Sequence, residues 1–172
     1  MSRRCLLVPA LVTLLTLAAC SSDKKVVRTY TKEGTTAEAT QRSVDAEAYY
    51  ASAVQRARAS LGKAEQSDAL FNLGSYYRKQ TRFKESVSPL FESLSLALEA
   101  GTVGELDLGR RYAELARSYA ALNRWQDGAA MMRNVVPLRS RYPADEATAL
   151  TELAAVYKTR LTELGLDAGF LP

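Results

Sequence analysis

The sequence contains no histidine, and its two cysteines, Cys5 and Cys20, both lie near the N-terminus. The lack of histidine removes the most common general base near neutral pH and the most common metal ligand. No thiolate remains after residue 20 for catalysis, zinc binding or a disulfide. Gly-rich phosphate-binding loops and serine-nucleophile motifs are also missing from the sequence. These absences predict a protein that is not an enzyme and that needs no metal, cofactor or small-molecule substrate.

Glycine and proline are scarce, with 9 and 5 copies in 172 residues, whereas Ala, Leu, Arg and Glu are frequent. This composition favours helix over sheet, and the length is sufficient for one domain with its own core. The formal net charge is +4, of which Arg3 and Arg4 contribute two units before Cys20. The remaining charge is too small to predict binding to nucleic acid.

The N-terminus has the organisation of a secretory signal. Arg3 and Arg4 precede a mostly apolar run over residues 5–16, which ends in Leu17-Ala18-Ala19-Cys20. The run is too short for a comfortable membrane span and is typical of a signal peptide. Leu-Ala-Ala-Cys resembles the lipobox of bacterial lipoproteins, which implies that residues 1–19 are removed and that Cys20 carries a covalent lipid such as palmitate. The alternative is an ordinary signal peptide with a chance cysteine at the cleavage site.

Ser21 and Ser22 follow Cys20, where an Asp would hold a Gram-negative lipoprotein in the inner membrane. The resemblance therefore implies an anchor in the outer membrane, on its periplasmic face, although a Gram-positive host would change this location. Residues 20–42 are rich in Thr, Ser and charge and show no apolar stripe of helical period. They are predicted to form the lipidated cysteine followed by a flexible tether.

A four-point pattern recurs in the remainder of the chain, in which a large residue is followed by Leu, a small residue and Tyr. Its copies are Leu70, Leu73, Gly74, Tyr77, then Tyr112, Leu115, Ala116, Tyr119, and then Leu150, Leu153, Ala154, Tyr157. The members of each copy share one helix face, and an aromatic residue, Phe83 or Trp125, follows the first two copies by six positions. The copies begin 42 and 38 residues apart, which indicates a helical repeat.

This pattern resembles the tetratricopeptide repeat (TPR) family, a helix–turn–helix unit whose copies stack into a superhelix. The resemblance implies an all-α fold, a short TPR-like solenoid of antiparallel helix pairs with about six helices over residues 43–165. The repeat is longer than the usual length of about 34 residues, as in forms with longer helices such as kinesin light chains. The tail, residues 166–172, is predicted either to dock on the last helix or to be disordered.

Local signals set the expected helix boundaries. The first helix is predicted from Ser43 to about Leu61 as a cap on the first repeat, and Ser67-Asp68 is predicted to start the next. Pro89 either lies inside a kinked helix that begins at Phe83 or follows Ser88 as an N-cap. The third copy has no clear second helix, so its long helix is predicted to close the solenoid.

The first helices of TPR units line a concave groove, and the family's offsets place eleven residues of this chain there. They are Asp68, Phe71, Ser75, Arg78, Lys79, Arg110, Ala113, Arg117, Thr148, Thr151 and Lys158. Since this set has five bases and one acid, it predicts binding of an acidic peptide or helix, with Arg110 and Arg117 as anchors. The alternative is a solvated helix face. Phe71 and Ser75 replace the family's Lys–Asn clamp for a C-terminal carboxylate, so that activity is not expected.

The resulting functional hypothesis is a non-catalytic, membrane-anchored adaptor for protein–protein interaction. Its resemblance to TPR lipoproteins of the cell envelope implies a role in assembling an outer-membrane machine, such as a pilus or secretion complex. The alternative is a permanent structural subunit of a larger envelope complex.

Overall fold

The computed structural model describes residues 9–172, with side chains from residue 21 onward. The helices in that part are α1 (Pro9–Ala39), α2 (Ser43–Ser60), α3 (Lys63–Lys79), α4 (Phe83–Ala100), α5 (Glu105–Ala121), α6 (Trp125–Val135) and α7 (Ala144–Glu163), with a 3-10 helix, Val136–Arg141, before α7. Residues 9–172 contain no strand, and the predicted all-α solenoid is confirmed. Residues 1–8 of the signal peptide predicted at 1–19 lie outside the described residues, as do the side chains of residues 9–20, including that of Cys20. Over the same described range, no helix combines the length and apolar character that a membrane crossing requires.

The helices pair as α1 with α2, α3 with α4, and α5 with α6. One left-handed residue occupies each intervening turn, with φ of 58°, 58° and 57° at Gln41, Thr81 and Asn123. The next residue is always an arginine that pairs with an acid three positions later, as in Arg42–Asp45, Arg82–Glu85 and Arg124–Asp127. This repeated turn marks three helix pairs. The Leu–Tyr pattern alone predicts two complete pairs, because its third copy has no clear second helix.

Helix α1 corrects the expected flexible tether at residues 20–42. Val27 and Ala37 are buried against the body, Asp23 pairs with Arg56 of α2, and Gly34 lies against the ring of Tyr50. The row of buried side chains along α1 is narrow, because threonines and charged residues fill the rest of the helix surface. Several threonine hydroxyls donate to the carbonyl four residues back, which satisfies them within the helix. The packed body therefore begins near residue 23 rather than at residue 43.

Helix α3 begins at Lys63, about one turn before the predicted cap at Ser67. Ser67 is fully buried, and its Oγ donates to the carbonyl oxygen of Ser93 on α4 at 2.7 Å. Arg111 of α5, only 3% exposed, donates from Nε to the Oγ atoms of both serines at 3.0 and 3.1 Å. Ser67 therefore belongs to a polar contact between three helices. The sequence-based prediction of a helix start at this residue is wrong.

Close packing at small residues follows the sequence expectation. A Cβ atom at Gly74 would lie 2.6 Å from Cγ of Leu90, so only glycine allows α4 this close to α3. Pro89 lies inside α4, which begins at Phe83, so Ser88 is not an N-cap. The tail docks: Leu171 is 5% exposed in the core cluster formed with α6 and α7.

Candidate functional site

The curvature of the solenoid distinguishes an inner from an outer face. The first helices of successive pairs contact each other, as α1 with α3, α3 with α5, and α5 with α7. Within the described part of the chain, the backbones of the second helices α2, α4 and α6 lie farther apart, and only side chains join them, such as Arg58 of α2 with Glu92 of α4. Since the first helices are closer together, they form the concave side, which is where the sequence predicted a groove. Two cavities open on this inner face.

The C-terminal cavity has a volume of about 300 Å³ and lies where α3, α5 and α7 approach each other. It is lined by Phe71, Arg110, Ala113, Glu114, Arg117, Tyr142, Asp145, Glu146, Ala149 and Leu150. The hydroxyl of Tyr142 donates to the carbonyl oxygen of Leu106 at 2.8 Å, which fixes the ring at the edge of the cavity. Phe71, Ala113 and Leu150 provide its apolar surface. An apolar floor edged by a few charged groups is the usual composition of a ligand site.

The two predicted anchors in this cavity already bind carboxylates of the protein. Arg110 donates to both oxygens of Glu146 at 2.9 Å and to Asp107 at 2.6 Å. Donation to Glu146 raises the pKa of Arg110 above its ordinary value. Arg117 donates to Glu114 at 2.9 Å, and the same carboxylate pairs with Arg78. The expected surplus of basic charge is therefore absent from this end of the inner face.

The N-terminal cavity, of about 490 Å³, lies between α1 and α3. It is lined by Lys24, Val27, Arg28, Thr31, Lys32, Leu61, Ala64, Glu65, Asp68, Ala69 and Asn72. Lys24 pairs with Glu65 at 2.5 Å, and this hydrogen bond lowers the pKa of the carboxyl group. Asp68 pairs with Arg111 at 2.5 Å. Sequence reasoning missed the lysines and arginine of α1 because that stretch was predicted to be a tether, although the repeated turn before Arg42 could have revealed it.

The predicted groove residues divide into those that line a cavity and those that do not. Phe71, Ala113, Arg110 and Arg117 line the C-terminal cavity, and Asp68 lines the N-terminal one. The other predicted residues, Ser75, Arg78, Lys79, Thr148, Thr151 and Lys158, line neither cavity.

Five of those six residues have partners of their own, including Arg78, which pairs with Glu114, and Thr148, which donates to the carbonyl oxygen of Ala144. Lys79 pairs with Glu38 of α1 at 2.9 Å. Thr151 donates to the carbonyl oxygen of Ala147, and Lys158 donates to that of Pro172. The Lys158 contact joins α7 to the docked tail, so this residue has a structural role. The sequence offsets thus include five residues that line a cavity of the inner face, but they did not identify which charges on that face are free.

Comparisons with known proteins indicate the fold alone. No protein-family model matches the chain, and no curated protein matches it. A solved structure that matches is a candidate kinesin light chain from Podosopora anserina with nearly identical TPR-like repeats. The match has a TM-score of 0.67 at 16% identity and covers 80% of this chain and 68% of that chain. By architecture, the chain is a TPR-like repeat protein.

Proposed function

We propose that this protein is a non-catalytic adaptor that holds a segment of a partner protein in the groove on its inner face. The observation that carries the proposal is the pair of open cavities along that face, both formed by the first helices of the pairs. A groove of this kind accepts an extended peptide or one helix of a partner. The TPR-like fold supports a scaffold for protein–protein interaction.

The proposed location is the periplasmic face of the outer membrane, with a lipid on Cys20, in a machine of the cell envelope such as a pilus or secretion complex. The lipobox-like Leu17-Ala18-Ala19-Cys20 supports the anchor. Only Ser21 and Ser22 separate Cys20 from Asp23, which already pairs with the body. An anchored protein would therefore sit close to the bilayer instead of standing off on a tether.

Photo-crosslinking in native cells tests the binding face. A photoreactive amino acid at Ala149, which lines the C-terminal cavity, should capture a discrete partner, whereas the same substitution at Ala59, exposed on α2, should not. Capture from position 59 alone would place binding on the outer face and contradict the proposal. Cys20→Ala should abolish incorporation of a labelled fatty acid into the protein, and incorporation that persists in this variant would refute the lipid anchor at Cys20.

A second role, as a permanent subunit, is favoured by apolar side chains on the outer face. Phe91 and Leu98 of α4 are 56% and 52% exposed, and Phe91 borders a cavity that also includes Val87 and Leu122. Apolar groups left in water in this way often belong to a lasting interface. The chain from Ser21 onward distinguishes the two roles: an adaptor stays monodisperse without its partner, whereas a permanent subunit aggregates unless Phe91 is replaced by Ser.

A further inference from the structure

Most charged groups on the inner face are neutralised by a neighbour, but a few are not, and the two signs lie at opposite ends. Arg28 and Lys32, at the N-terminal cavity, form no ion pair with any residue that the structure describes. Both are exposed. At the C-terminal cavity, Asp145 is exposed and likewise has no pair among residues 21–172. The inner face therefore has free positive charge at one end and free negative charge at the other.

Free charges contribute more to binding than paired ones because a ligand need not displace an internal partner. Arg110 would have to give up its bidentate bond to Glu146 before it could bind another carboxylate. Arg28 and Lys32 require only the loss of water, and so does Asp145. Complementary charges then set the orientation of the ligand, because the reversed placement brings like charges together.

Both cavities also have apolar surface beside the free charges. Val27 and Leu61 lie in the N-terminal cavity, and Phe71 and Leu150 lie in the C-terminal one. Nearly two interhelical spacings separate the centres of the cavities, since one lies between α1 and α3 and the other lies at α5 and α7 with Phe71 of α3 at its edge. This corresponds to about 20 Å at ~10 Å per spacing. An extended chain covers that distance with about six residues.

We propose that the segment bound on the inner face has a charge polarity of its own, an inference that rests on the proposed function. Its acidic end lies over Arg28 and Lys32, its basic end lies over Asp145, and about six residues separate the two. An apolar side chain beside each charged end enters the neighbouring cavity. This replaces the uniformly acidic partner that the sequence alone predicted.

Selection from phage-displayed random peptides tests this directly. Peptides of about twelve residues, roughly 40 Å when extended, are selected on wild-type protein and on an Ala149→Trp variant whose C-terminal cavity is filled. We expect peptides specific to the wild type to carry Glu or Asp at one end and Lys or Arg about six positions away.

Charge-reversal variants of the protein identify which end of the peptide lies at which cavity. For a peptide so selected, Arg28→Glu combined with Lys32→Glu should weaken binding about tenfold, and binding should return when the acids of the peptide become lysines. Asp145→Lys should likewise weaken binding, and binding should return when the basic residues of the peptide become acids. Lys84→Glu is the matched control and should change nothing, because Lys84 is exposed on the outer side of α4 and has no ion pair among residues 21–172. Thermal melts confirm that each variant is folded.

The outcomes separate the two proposals. If no peptide prefers the wild type to the filled variant, the proposed groove itself is wrong. If peptides bind but lack separated charges, or ignore the reversals, only the polarity is wrong. Vesicles of phosphatidylglycerol and phosphatidylcholine test a lipid source of negative charge. Vesicle binding that is lost on reversal of Arg28 and Lys32, with peptide binding unchanged, would overturn the proposal in favour of a headgroup contact.

Discussion

Replacing Gly128 with Ala tests how closely α6 and α7 are packed at the C-terminal end of the solenoid. A Cβ atom at residue 128 would lie 2.5 Å from Cζ of Tyr157, and closer still to its hydroxyl. Carbon atoms in contact prefer 3.5–4.0 Å, so the ring would have to move by about 1 Å. Tyr157 is fully buried, its hydroxyl donates to the carbonyl oxygen of Ala116 at 2.6 Å, and Trp125 lies edge-on at 5.4 Å.

Two opposing effects set the size of the change. Forcing an extra carbon into a packed interface, with the Tyr157 hydrogen bond disturbed, costs about 3 kcal/mol. Removing a glycine from a helix interior returns about 1 kcal/mol. The net expectation is a free energy of unfolding lower by about 2 kcal/mol, which corresponds to a midpoint lower by roughly 4–8 °C for a chain of this size. Thermal and urea unfolding followed by circular dichroism measure both values.

Two further variants isolate the steric effect. Ala130→Gly, at an exposed position of the same helix, measures the helix-propensity contribution and should cost about 1 kcal/mol. In a Tyr157→Leu background the clash disappears, so Gly128→Ala should become neutral or stabilising there. An equal loss of stability in both backgrounds would refute the packing argument, because additivity means that residues 128 and 157 do not interact.

The remaining predictions concern the buried polar contact, acid stability and the tail. Arg111→Ala should lower the free energy of unfolding in urea by about 3 kcal/mol, because it empties a buried site between three helices. Asp68→Ala should lower it by about 1 kcal/mol or less, since that carboxylate is 69% exposed. Equal losses for the two variants would contradict this reasoning. Hydrogen bonds from Arg82 lower the pKa of Glu47 below 4.5, so its contribution to stability is complete above that pH and is lost as the pH falls through the lower, folded-state pKa. With no histidine to titrate, thermal midpoints should be flat between about pH 6 and 8, and a step in that interval would count against the assignment. Leu171→Ala should cost about 2–3 kcal/mol if the docked tail covers core surface, and an unchanged melting curve would show that it does not.

Several features of the fold followed from sequence because they depend on local physics. The period of Leu70, Leu73 and Tyr77 specifies one face of a helix whatever its partner. Phe83 begins α4, as one of the two predicted alternatives for Pro89 required, and Trp125, the equivalent aromatic residue of the next copy, begins α6. The repeat was recognisable for the same reason: every copy must present a similar face to its neighbours.

The part of α1 that follows Cys20 was not recognised as a helix, because its buried stripe is narrow and its composition is that of a soluble linker. Gly34 is informative only once Tyr50 of α2 is known to lie over it, and Val27 only once it is known to share a core cluster with Val54 of α2. The burial of Ser67 likewise depends on Ser93 and Arg111, which are distant in sequence. A helix that is held mainly by its neighbours carries a weak signal of its own.

The sequence by itself determined the class of fold and some of the charged residues on the inner face, whereas Arg28, Lys32 and Asp145 were assigned to that face only by the tertiary structure. Only the tertiary structure decided which of those charges are free. The pairs that neutralise the inner face, Arg78 with Glu114 and Arg110 with Glu146, each join residues 36 positions apart, about one repeat. Such partners meet only when one helix pair stacks on the next, since residues so far apart in sequence have no local geometry in common. Among the described residues, Arg28 at one end of the inner face and Asp145 at the other keep unpaired charges after stacking. The proposed ligand would recognise these opposite charges.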